Sequence, residues 1–179
     1  MSRRQFVFSL PFAALALLVS NAHAADAPNL GRVASPEEVA RGDLIVAPDG
    51  ANLPPGSGSV AEGETVYAEK CIACHGADGS GGPMDRLAGG IGSIGSDGPI
   101  KTVSSYWPYA TTLFDYIRRA MPAAAPQSLS NDEVYAVTAY LLSIDGIVDN
   151  DAVMNAETLP EVEMPNRDGF IPWSPDLDY

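Results

Sequence analysis

Cys71-Ile72-Ala73-Cys74-His75 constrains this chain more than any other stretch. Two thiols three positions apart share one face of a helical turn, and an imidazole follows at once. Each thiol can form a thioether to a vinyl group of the same porphyrin, and the next residue then places a ring nitrogen beneath the iron. One covalently attached haem c is expected, held through Cys71 and Cys74 with His75 as the proximal metal ligand.

The alternatives fit less well. A disulfide is the usual fate of two cysteines in an exported protein. A Cys-x-x-Cys pair also occurs as a thioredoxin-like redox site. Neither needs His75, and no β-α-β pattern surrounds the pair. A zinc site needs more ligands than these three residues supply.

The chain opens like an export signal. Arg3 and Arg4 form a basic start, Phe6 to Val19 is an apolar run broken by Pro11, and Ala22-His23-Ala24 is a cleavage pattern. Residues 1–24 are expected to be removed before Ala25, leaving a periplasmic protein. The arginine pair also fits the twin-arginine route, which ends in the same compartment. The apolar run is short for a bilayer span of about 20 residues, so no membrane insertion is expected after cleavage.

Cleavage removes two of the ten basic residues and none of the 23 acidic ones, so eight remain against 23, a formal charge of −15. Such a surface excludes nucleic acid as a partner and suits a basic protein. Cleavage also removes His23, leaving His75 as the one histidine and Cys71 and Cys74 as the only cysteines.

The expected architecture is all-α, with a domain at 58–146 between an extended Pro- and Gly-rich arm at 25–57 and an acidic Pro-rich arm at 147–179. Pro36 to Arg41 is one short helical turn. Ser59 and Glu62 form a capping box that starts a helix ending near Lys70, with Val60, Gly63, Val66 and Tyr67 on one face. A glycine in that face makes sense where another helix crosses closely. Residues 76–95 are a glycine-rich loop in which the Pro83 carbonyl is the candidate partner for the second nitrogen of His75. Ser104, Ser105, Tyr106 and Trp107 are placed to line a haem edge, Trp107 also being a candidate core residue.

A helix over 111–120 is expected, with Thr111 or Thr112 as its cap and Asp115 paired with Arg119 on its exposed side; Pro122 stops it. A second capping box, Ser130 with Glu133, opens the last helix, which ends near Ile144 with Gly146 as its cap. The final arm has no core of its own and is expected to be disordered or to wrap over the domain or a partner.

With one histidine left, the second iron ligand must be sought among Met84, Met121, Met154 and Met164. A thioether favours ferrous over ferric iron and suits an electron carrier. Met121 fits best, because it lies in a short Pro-flanked loop between the last two helices.

Gly63 and Tyr67 before Cys-x-x-Cys-His, then Met121-Pro122 and Tyr140, resemble the class I cytochromes c over about residues 58–146. Narrower likeness lies in Leu53 to Ser59, Thr102 to Pro122 and Met164 to Phe170. These segments resemble the cytochrome subunits of periplasmic sulfane and sulfite dehydrogenases, including that of the Sox sulfur-oxidation system. The resemblance implies a non-catalytic electron-accepting subunit. Its donor would be a molybdenum-cofactor sulfur dehydrogenase subunit, and a cytochrome or oxidase would lie downstream. Some of those subunits carry two haems; this chain has one attachment motif. The alternative is a general soluble carrier to a terminal oxidase.

Overall fold

A computed structural model describes residues 31–171; the leader and its expected cleavage point lie outside them. Residues 31–35 belong to a first unit and are irregular. The elements from Pro36 onward are α1 (Pro36–Gly42), β1 (Ser57–Ser59), α2 (Val60–Lys70), α3 (Ile72–His75), α4 (Val103–Tyr106), α5 (Ala110–Ala120), α6 (Asn131–Ile144) and β2 (Val153–Asn155). Short 3-10 turns occupy Ala77–Gly79 and Leu159–Glu161. The helical expectation holds, with one two-stranded ribbon added. Among the described residues no helix is long and apolar enough to cross a membrane.

Helix α6 is the centre. Both expected capping boxes form: Ser59 and Glu62 bond reciprocally at the start of α2, Ser130 and Glu133 at the start of α6. Val134 to Ala139, Leu141 and Leu142 are all buried, because α2, α5 and the β1–β2 ribbon pack around α6. The close crossing with α2 is real. A Cβ on Gly63 would collide with the Ala136 carbonyl oxygen and lie 2.8 Å from Tyr140 Cβ, and one on Gly58 would lie 2.6 Å from Ala136 Cβ. Tyr67 and Tyr140 meet across the same crossing, ring centroids 5.2 Å apart.

Helix α5 stops before Pro122 as expected, with Met121 as its C-cap, but departs from expectation at its cap and at the burial of its ion pair. It begins at Ala110 with Tyr109 as cap residue and no side-chain cap, because the Thr111 hydroxyl instead donates to Pro48 O at 2.9 Å. The Asp115–Arg119 pair forms, but Asp115 is buried rather than exposed. Its Oδ1 accepts from Val46 N at 2.9 Å, and Arg119 closes on the same carboxylate. The carboxylate thus clasps the strap that precedes β1. Pro54 O and Pro55 O of that strap accept from Tyr135 and Asn131 of α6. Asp115→Ala strands the Val46 N–H, itself part of the core, and should lower stability by about 2 kcal/mol. Asp115→Asn, which keeps an acceptor, should cost less; equal melting temperatures for the two variants would count against the clasp.

The C-terminal arm wraps the domain. Gly58 pairs with Met154 in the antiparallel ribbon. Met154, Leu159, Val162 and Met164 are buried in the same core cluster as α2, α5 and α6. Asn166 Nδ2 then donates to Tyr106 O at 2.7 Å, Arg167 lies over the Tyr109 ring and Phe170 packs edge-on to Tyr106.

Candidate haem site

Helix α2 runs directly into the attachment turn. Cys71 caps α2 and starts α3, and its carbonyl accepts from Cys74 N at 3.1 Å and His75 N at 3.0 Å. One tight turn therefore carries both sulfurs and the imidazole. Both cysteines are free thiols in the structure. Cys71 is half-buried and Cys74 exposed. Burial pushes the Cys71 thiol up to about 11. A reactive Cys-x-x-Cys needs the opposite, a thiol pKa lowered toward neutrality.

The glycine loop is folded onto this turn by main-chain bonds. Gly76 N donates to Ile72 O, Gly81 N to His75 O at 2.8 Å and Met84 N to Cys74 O at 3.0 Å. The Tyr67 hydroxyl donates to Gly76 O at 2.9 Å. Gly76 has φ +75, and a Cβ there would strike the Gly81 carbonyl, so the closure requires glycine.

His75 Nδ1 lies 2.9 Å from the carbonyl oxygen of Asp85. A carbonyl only accepts, so Nδ1 carries a proton, and in the neutral ring this leaves the Nε2 lone pair to a metal. The expectation that Pro83 supplies this carbonyl is corrected. The Met84 N to Cys74 O bond turns the chain after Pro83, the Met84 carbonyl accepts from Gly82 N at 3.1 Å, and the carbonyl two residues past Pro83, that of Asp85, is the one that meets the ring. No sequence signal marks Asp85, since every residue has a carbonyl and only the loop's path selects one.

The other candidates lie apart along the chain but on one core. Cys71, Leu87, Trp107, Met121 and Leu129 are all partly buried against it. Trp107 stands edge-on to Tyr116, centroids 5.6 Å apart. Met121 is the C-cap of α5. Met154 and Met164 are buried core residues, whereas Met84 is 59% exposed. Ser105 belongs to the α4 cap with Thr102, and its hydroxyl bonds to the Ile100 carbonyl.

The donor set fits a haem c. Two free thiols share a turn, one imidazole has its tautomer fixed, and Ile72, Met84, Ile91 and Ile100 on the turn and loop expose apolar surface that a porphyrin or a docked protein can cover. Among the described residues no three His, Cys, Asp or Glu side chains converge as a metal site, so a zinc centre is not preformed.

Residues 60–145 match the family model for cytochrome c. One chain of the crystal structure of the sulfane dehydrogenase SoxCD from Paracoccus pantotrophus is 46% identical, with a TM-score of 0.75 over 80% of this chain and 71% of that one. A thiosulfate dehydrogenase of Allochromatium vinosum is 30% identical over 91 residues, and the match covers 45% of this chain but only 30% of that protein. The matched region runs from the first residue of α2 to the end of α6 and encloses the attachment turn, and the chain belongs to the cytochrome c family.

Proposed function

We propose that this chain is an exported, periplasmic mono-haem cytochrome c. It passes single electrons and serves as the electron-accepting partner of a molybdenum-dependent sulfane or sulfite dehydrogenase. The likeness to a SoxCD chain carries this reading, because at 80% of the sequence it extends beyond the cytochrome c domain into the arms. The sulfur chemistry would belong to the partner chain, and this chain would be its non-catalytic acceptor. A downstream cytochrome or oxidase would then receive the electron.

Cys71 and Cys74 would hold the haem, His75 would ligate through Nε2 and Met121 through its sulfur, with Trp107 along the edge. When bound, the haem supplies a one-electron ferric/ferrous couple. The Asp85 carbonyl keeps the His75 proton on Nδ1 and raises the basicity of the ligating nitrogen. The arms would add to the partner interface. They cannot be deleted cleanly, since Met154 to Met164 belong to the core, but Phe170 and Ile171 are exposed beyond it.

The test is reconstitution with the purified molybdenum dehydrogenase. One haem per chain, co-fractionation and reduction by the dehydrogenase on adding its sulfur substrate are expected. Phe170→Ser with Ile171→Ser should weaken association about tenfold without loss of haem. A chain that fractionates alone, stays oxidised beside the active dehydrogenase and is turned over by an oxidase is a general carrier instead.

A further inference from the structure

The loop from Gly76 to Lys101 bonds mainly to itself, to the attachment turn and to α4. Among the described residues, two hydrogen bonds tie it to α2 and α6. One is Tyr67 to Gly76 O. The other is Gly89 N to Asp145 Oδ2, at 2.6 Å across 56 positions.

Asp145 is the C-cap of α6. A helix C-terminus disfavours negative charge and ordinarily carries Lys, Arg or His. A carboxylate there calls for a compensating contact, and Gly89 N–H provides it. The same residue is gripped at its other end, where the Thr102 hydroxyl donates to Gly89 O at 2.6 Å. Gly89 and Gly90 both have positive φ, and a Cβ on Gly90 would lie 2.8 Å from Ile100. The bend at 89–90 is therefore fixed in space.

From Gly89 the constraint runs back along the chain. Leu87 N and Ala88 N donate to Gly79 O at 2.8 and 3.2 Å, and Val103 N donates to Leu87 O at 3.0 Å. Two residues before Leu87 stands Asp85, whose carbonyl meets His75 Nδ1. On its other side Met84 is pinned to Cys74. Asp85 is thus held at both ends, and the distal hold reaches the helical body through Asp145.

We propose that Asp145 is a positioning residue for His75: by fixing Gly89 to the end of α6, it sets where the Asp85 carbonyl stands against the imidazole. This rests on the reading of His75 as the proximal haem ligand. A shorter, steadier Nδ1–H bond gives the ring more imidazolate character and favours ferric iron.

Two variants separate position from charge in the haem-loaded protein. Asp145→Asn loses the charge and keeps an acceptor; Asp145→Glu keeps the charge and displaces it. The readouts are solvent exchange of the Gly89 amide and the His75 Nδ1–H in the reduced protein by NMR, together with the reduction potential. Exchange of both protons should quicken about tenfold in the Glu variant and stay near wild type in Asn. The potential should rise in Glu although the charge is retained. If Gly89 exchange quickens while the His75 proton and the potential stay fixed in the Glu variant, Asp145 is only structural and the proposal falls. It falls equally if the potential follows charge alone, moving in Asn and not in Glu. An absent haem c spectrum, or unchanged ligation after His75→Ala, would overturn the haem reading itself, independently of Asp145.

Discussion

Met121→Ala should abolish the weak near-infrared sulfur-to-iron band of the oxidised protein. It should also lower the reduction potential by on the order of a few tenths of a volt, inside the ~0.8 V that axial ligation spans. A thioether stabilises ferrous iron, so its loss favours the ferric state. The rival methionines behave differently for structural reasons. Met154 and Met164 are 5% and 2% exposed and fill the core beside Leu159 and Val162. Their alanine variants should lose about 2–5 kcal/mol of stability and keep the band. Met84 stands at the surface of the proximal loop, and Met84→Ala should change little. A band that survives Met121→Ala and disappears with one of the others would overturn the assignment.

Gly63→Ala should destabilise the protein by about 3 kcal/mol, the upper end of the usual cost of overpacking. For a chain of this size that is roughly 6–12 °C in Tm. Helix propensity alone predicts the opposite sign, since alanine is about 1 kcal/mol better than glycine inside a helix. Close packing decides, because the added methyl would meet the Ala136 carbonyl oxygen, a backbone atom of α6 that cannot rotate away. Ala61→Gly on the exposed side of α2 is the control and should cost only the propensity difference. A Gly63→Ala protein that melts at or above the parent temperature would show that the helices can separate at no cost.

Much of this was legible in residue order. The attachment turn, the two capping boxes and the glycine at the crossing are local patterns, each with its chemistry within a few residues, and all form where their spacing places them. Local pattern misled where a side chain had a distant partner. Thr111 looks like a helix cap, but Pro48 claims its hydroxyl. Asp115 and Arg119 look like an exposed ion pair, but Val46 draws the carboxylate inward. The C-terminal arm left disorder and a wrap over the domain both open in the sequence, because its buried residues, Met154, Leu159, Val162 and Met164, follow no helical or strand period. They are spaced by the surface they cover.

By itself, then, the sequence determined the Cys-x-x-Cys-His motif that the cytochrome c family carries and the helical frame. Cys71, Cys74 and His75 share one turn, and capping is satisfied by neighbours three residues away. Only the tertiary structure decided which carbonyl holds His75, which methionines are core and what fastens the loop. Those outcomes turn on where backbone atoms lie after distant segments have packed. Asp85 meets His75 because glycines at positive φ fold the loop back, and Gly89 meets Asp145 because α6 ends beside it. The Cys-x-x-Cys-His turn is local chemistry, while the hydrogen bonds around His75 come from the packing behind it.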